Sequence, residues 1–290
     1  MISKCVLQFV FACVLFLNQS LPAQNLKQSG EKEQPPKNQE FMFTNKLACF
    51  YAGQSASKNL YFLDGLNVQA HEFLEDYVLK VGEHFLNRQH TSTQILNKKI
   101  IRIHSQWHLS EEVKLFPDKN LLMITLKSPR KYMMTLYPEI PVTPNAKDFI
   151  THWSIEERTL FVANKRHLIR TPQQNYPVWL GITVLPEPLY VSEDAEQVPD
   201  YLSPMSEVYI PGRFSFQMDS VAVILFSIGN IREDIIRAKK KIDRQYKFLI
   251  EKDGFKIDYL WPRYFEQAFS PTVPSQISYQ IFVETEPVKK

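Results

Sequence analysis

Residues 214–229, FSFQMDSVAVILFSIG, and the 25 residues after them constrain this chain most strongly. A run this long and this apolar reads as one extended strand buried on both faces. The next segment, NIREDIIRAKKKIDRQYKFLIEKDG, has the periodicity of an amphipathic helix. Ile231, Ile235, Ala238, Ile242, Tyr246 and Leu249 fall at helical spacing and form one seam. Asn230 is placed as N-cap, with Glu233 three residues on as in a capping box, and Gly254 as the terminating glycine. FKIDYLW and ISYQIFV then read as closing strands.

Two earlier segments repeat the plan of strand, helix, strand, strand. In the first, KLACFYAG is extended. Within LNVQAHEFLEDYVLKVGEHFLNRQ, Phe73, Leu74, Tyr77, Val78, Val81 and Phe85 recur at helical spacing behind Asn67 as N-cap. KIIRIHSQW and LLMITLK follow as strands. In the second, KYMMTLYPE is a strand. TPNAKDFITHWSIEERTLFVANKRHL is predicted as a helix, with Thr143 as N-cap and Pro144 at its first position. YPVWLGITVL and SEVYIPG are the next strands. Two strands after each helix imply antiparallel pairing. The expected fold is therefore α+β: an antiparallel sheet with helices on one face and the other face open.

The 290 residues suffice for one large domain or two small ones, and 44% hydrophobic content supports a real core. A basic start, a 13-residue apolar run CVLQFVFACVLFL and NQSLPAQ have the layout of a signal peptide over 1–24, with cleavage expected near Ala23 or Gln24. The run falls short of the ~20 residues of a membrane span. The mature chain is thus expected to be secreted or periplasmic, with no integral membrane segment. Cys5 and Cys13 lie in that peptide, so Cys49 would stand alone and the fold would rest on its core without a disulfide. Residues 25–41, polar and proline-bearing, read as a disordered linker. They precede an N-terminal α+β segment over 42–128, which could be an extra βαββ unit.

Residues 129–286 resemble the GyrI-like small-molecule-binding domain, the effector-binding domain of AraC- and MerR-type regulators, whose fold the SOUL haem-binding proteins share. The matching features are VWLGITVLPEP, VPDYLSPMSEVYIPG, and the long strand with its capped helix. WPRYFEQAFSPTVPSQISYQIFV stands where the family often has an aromatic-acidic motif, a spacer and a closing strand. The resemblance implies a pseudo-twofold pair of βαββ units with a ligand cleft on the side away from the helices. Two departures stand out. Gln276 occupies a position where many relatives carry glutamate, and no DNA-binding helix-turn-helix is visible.

Alternation along the strands divides the side chains between core and cleft. Leu180, Ile182, Val184, Val208 and Ile210 suit the helix-packed core, leaving Trp179, Thr183, Glu207 and Tyr209 for the cleft. In the last strand Gln276 and Phe282 share the cleft face, and Trp261, Tyr264 and Phe265 supply further aromatic wall. Such a site fits a small organic ligand, aromatic, lipophilic or tetrapyrrole-like, held without catalysis. Rival readings are a hydrolase using Glu207 as general base and a structural or interaction protein whose cleft is filled by its own side chains.

No metal site is expected: His104 and His108 are four apart, but on a strand end and loop. No cofactor is expected either. Haem enters only through the resemblance, which selects neither His152 nor His167. A net charge of +3 and a helix whose Arg237, Lys240, Lys241 and Arg244 lie around its solvated side argue against a nucleic-acid partner.

Overall fold

A computed structural model describes residues 38–57, 64–69, 71–141, 149–164, 177–193, 195–199 and 207–253, all within one unit spanning 36–290. The strands are β1 (Glu40–Thr44), β2 (Cys49–Gln54), β3 (Gly65–Val68), β4 (His71–Leu74), β5 (Asp76–Val81), β6 (His84–Phe85), β7 (Ser92–Leu96), β8 (Lys99–His104), β9 (Leu109–Leu115) and β10 (Leu121–Lys127). They continue with β11 (Tyr132–Glu139), β12 (Phe149–Ser154), β13 (Thr159–Asn164), β14 (Trp179–Leu185), β15 (Tyr190–Ser192), β16 (Glu196–Pro199), β17 (Glu207–Ile210), β18 (Arg213–Met218) and β19 (Val221–Gly229). One α-helix, α1 (Arg232–Asp253), follows among the described residues.

Every strand pairing among the described residues is antiparallel. An eight-stranded sheet has the order β12-β13-β14-β19-β10-β9-β8-β7, and a five-stranded sheet the order β15-β18-β11-β5-β6. β1–β4 form a third sheet, and β16 pairs with β17. One core joins the three larger sheets. It includes Ile124, Ile182 and Phe226 from the first, Leu79, Leu136 and Phe216 from the second, and Tyr51 and Leu66 from the third. This is sheet-on-sheet packing, in which each strand sends alternate side chains inward.

The expected α+β fold of pseudo-twofold βαββ units is therefore incorrect. Residues 67–85, read as a helix, form parts of β3 to β6. β5 explains the misreading. Tyr77, Leu79 and Val81 enter the main core, while Val78 on the opposite face packs with Tyr137, Val208 and Ile210. A strand buried on both faces loses its two-residue alternation and offers apolar residues that also fit a helical stripe. Asn67 is not a cap: it lies in β3, and its amide donates to the Asp64 and Gly65 carbonyls. Gly65 has φ +90°, and an added Cβ would stand 2.1 Å from the Leu74 carbonyl oxygen, so only glycine fits there.

The second predicted helix is the β12–β13 hairpin, turned at Arg158, whose φ is 49°. Its expected caps Thr143 and Pro144 lie outside the described residues, as do both closing strands after residue 253, the signal peptide and most of the linker. The apolar run 214–229 is two strands, broken at Asp219–Ser220. Its second half, β19, is buried at all nine positions and sits at the centre of the eight-stranded sheet. The expected segments 42–128 and 129–286 interleave: β10 pairs with β19, and β5 with β11.

The third helix is present as α1. Among its described side chains Ile235 and Ile242 are the buried part of the seam and Ile231 is half exposed; Tyr246 and Leu249 lie outside the described side chains. The carboxylate reaching back to its start is Asp234, which accepts from the backbone N–H of Asn230 and Ile231 at 3.2 and 3.3 Å. α1 packs on β14 and β19. Gly181 makes that approach feasible, since a Cβ there would lie 2.3 Å from Ile235 Cγ2. Among the described residues no helix is long and apolar enough to cross a membrane.

Candidate functional site

The chemistry-bearing residues gather at an unexpected place, where β5, β8, β9 and the end of β2 meet. Pleating directs Arg102 and His104 of β8 to the same face as core residue Ile100, and the register sets Arg102 opposite Glu111 of β9. Arg102 Nη1 donates to Glu111 Oε1 at 2.8 Å and to the Tyr77 hydroxyl at 3.2 Å. Its Nε donates to the Ser55 carbonyl at 3.1 Å. The Tyr77 hydroxyl donates to Glu111 Oε1, and His104 Nε2 lies 2.9 Å from Glu111 Oε2.

Beside this group, Arg88 grips Asp76 with two parallel bonds of 2.8 and 2.7 Å, donates to the Tyr77 carbonyl and lies 4.7 Å from the centre of the Tyr77 ring. Arg88 begins a short 3-10 turn, whose preceding Asn87 side chain accepts from the Gln89 N–H. None of Asp76, Tyr77, Arg88, Arg102, His104 and Glu111 is more than 4% exposed.

The electrostatics follow from that burial. Desolvation would raise the Glu111 carboxyl, but Arg102 beside it and the His104 hydrogen bond outweigh this and hold it well below the usual carboxylate range. Burial, reinforced by the Glu111 charge, drives the Tyr77 hydroxyl well above its ordinary value. Tyr51 is pushed up to about 12 by burial and by the charge of Asp76; its hydroxyl has no hydrogen-bond partner among the described residues. Two guanidinium groups face two carboxylates in complementary geometry. The arrangement neutralises itself and ties β5, β8, β9 and the β2 end together.

A second titrating group lies in β4. The Glu72 carboxyl is pushed up to about 7 by partial burial and by the charges of Glu75 and Asp64. The folded state then holds this proton more tightly than the unfolded chain, so stability should fall as pH rises from about 4.5 to about 7. Glu72→Gln is expected to flatten that slope and to raise stability at pH 8 by about 1 kcal/mol, after allowance for solvent screening. Denaturant titrations of both proteins at pH 5 and pH 8 measure it; parallel pH profiles would refute the assignment.

Of the residues assigned to an aromatic cleft, the described side chains Trp179, Thr183 and Tyr209 do not meet in one place. Trp179 and Thr183 share one face of β14, as expected, but it is the face carrying α1. The Arg232 guanidinium lies 4.3 Å from the Trp179 ring centre, and Phe161 meets that ring edge-on. Leu180, Ile182 and Val184 point instead into the core between sheets. The alternation holds, but the face given to the helix is reversed. Thr183 is buried and hydrogen-bonded to Thr159 at 2.9 Å. Tyr209 belongs to the main core and stacks on Phe149 with ring centres 4.8 Å apart. Val208 and Ile210 lie in the satellite cluster on the other side of β11.

Glu207 is in β17, opposite Pro199 in the backbone register, and its side chain lies outside the description. Trp261, Tyr264, Phe265, Gln276 and Phe282 fall outside the described residues. His104, set aside as a metal ligand, is committed to Glu111. No group of three or more metal-ligating side chains occurs among the described residues. The buried network did have a sequence signal: once KIIRIH is taken as a strand, Arg102 and His104 share the parity of Ile100, an inward charge needing a partner.

No family model matches this sequence, and no curated protein matches it. Solved structures with partial likeness include a bacterial glucoamylase complexed with acarbose, at TM-score 0.42 and 10% identity, covering 82% of this chain and 39% of that one. Heparan sulfate lyase HepC from Pedobacter heparinus aligns at TM-score 0.39 and 9% identity, over 64% of this chain and 34% of that one. A family GH92 alpha-mannosidase from Bacteroides thetaiotaomicron aligns at TM-score 0.33 and 8% identity, over 63% and 26%. The chain thus spans well under half the length of each of these three enzymes, and the likeness is confined to part of their architecture.

Proposed function

We propose that this chain is an exported, non-catalytic interaction module whose interior is filled by its own side chains. The observation carrying this reading is the engagement of the two described aromatic residues. Trp179 meets Phe161 edge-on with the Arg232 guanidinium against both rings, and Tyr209 is stacked on Phe149. Ring surface engaged by these partners is less open to a planar ligand. The buried network supports the same reading, since its acids and bases satisfy one another and none reaches solvent to meet a substrate. Export rests on the signal-peptide layout of residues 1–24.

Thermal-shift titration of the full chain against planar, cationic and tetrapyrrole compounds tests the proposal. The expected result is no dose-dependent rise in Tm, because a ligand stabilises only a state with room to bind it. A saturable rise that Trp179→Ala abolishes would overturn the proposal in favour of a small-molecule binder.

A further inference from the structure

Three hairpin turns meet at one end of the eight-stranded sheet. The turn between β1 and β2 is organised by Asn45, whose side-chain oxygen accepts from the Leu47 and Cys49 N–H groups at 2.8 and 3.0 Å. The same side chain donates to the Phe116 and Lys119 carbonyls at 3.2 and 2.8 Å, which fastens this turn to the one between β9 and β10. The Lys46 N–H adds a bond of 3.2 Å to the Pro117 carbonyl. The turn between β7 and β8 lies alongside, since the Leu115 N–H donates to the Lys98 carbonyl at 3.3 Å.

Two leucines stand open at these turns: Leu47 is 45% exposed and Leu96 is 44% exposed. Lysines accompany them. Leu96 is opposite Lys99, and Lys99 opposite Lys114, so the three share the outer face of the sheet. At ~4.8 Å between strands this row spans roughly 10 Å. The Lys114 and Lys119 ammonium groups lie 5.5 and 5.7 Å from the centre of the Phe116 ring. Lys241 of α1 reaches Lys119, whose ammonium is held below its ordinary range first by burial and then by Lys241, with Asp118 opposing the shift. Glu112, 3.3 Å from Lys99, offsets part of the charge. Positive groups crowded in this way repel one another, and an anionic partner relieves the repulsion.

We propose that this end of the molecule docks on an anionic lipid bilayer, with Leu47 and Leu96 entering the headgroup boundary and Lys99, Lys114, Lys119 and Lys241 facing the lipid phosphates. A charged bilayer answers both features of the patch: the apolar tips bury at the acyl boundary, and the ammonium groups are drawn to the headgroups. A soluble polyanion would answer only the charge. The inference is independent of the functional proposal above and requires no membrane-spanning segment.

Co-sedimentation of the full-length chain with vesicles tests it, using phosphatidylcholine alone and phosphatidylcholine containing one-third phosphatidylglycerol. Binding to the mixed vesicles is expected to be at least about tenfold tighter than to the neutral ones and to fall steeply with added salt. The double variant Lys119→Glu/Lys241→Glu should weaken it by about tenfold or more, and Leu47→Ser/Leu96→Ser by about fivefold. None of these four side chains is buried, so the fold should survive both changes. Lys131→Glu, at a side chain 74% exposed beyond the opposite end of β10, should change binding little. Absence of binding, equal binding to both vesicles, or binding indifferent to the lysine pair would overturn the proposal. Loss in the lysine variant with the leucine variant unaffected would mark a site for a soluble polyanion and would overturn the lipid assignment as well.

Discussion

Arg102→Met should unfold this protein more readily than any surface change, lowering stability by about 3–5 kcal/mol. The loss comes less from the attraction removed than from the charge left behind. Glu111 would remain 2% exposed, still accepting from Tyr77 and facing His104, but without the guanidinium that offsets its desolvation. The Ser55 carbonyl would also lose a donor. Pairing the change with Glu111→Leu should restore part of the loss, since an apolar pair of similar volume carries no stranded charge. The rest would persist because Tyr77 and His104 lose their shared acceptor. Urea titration of the two single variants and the double variant measures the coupling. A cost below about 1 kcal/mol for Arg102→Met would show that the network does not hold the sheets.

The second large effect is expected from Phe226→Ala. Phe226 is fully buried on the inner face of β19, and its ring centre lies 6.1 Å from that of Tyr77 on the facing sheet. Truncation removes the apolar contact and leaves a cavity between two sheets that cannot close up freely. A loss of about 3–5 kcal/mol follows, corresponding to a drop of roughly 6–20 °C in Tm for a domain of this size. Val223→Ala, on the outer face of the same strand beneath α1, deletes fewer atoms and should cost less. Calorimetry of the two variants separates the faces. Equal losses would argue that the core between sheets is not the main store of stability.

The network and the core also explain which parts of this protein were legible beforehand. β8, β10, β11 and β14 were visible as runs of β-branched and apolar residues, and α1 as a polar helix with a narrow seam. Their signals are local: propensity, periodicity and an acidic first turn all lie within a few residues of one another. The parity of β14 was legible too, and Trp179 and Thr183 do share a face. Which layer that face meets was not legible, because alternation divides a strand into two sides without saying what covers either.

The sequence alone determined that residues 232–253 are helical, that 221–229 are buried on both faces, and which side chains of each strand travel together. Tertiary structure decided the rest. It turned 67–85 and 149–164 into strands, placed α1 on the side first assigned to a cleft, and brought Asp76, Arg88, Arg102 and Glu111 into one buried group. The physical reason is that a helix bonds to itself, whereas a strand completes its hydrogen bonds and its burial only through distant partners. β5 becomes a strand because β11, more than fifty residues later in sequence, pairs with it, and Arg102 tolerates the interior because Glu111 waits opposite.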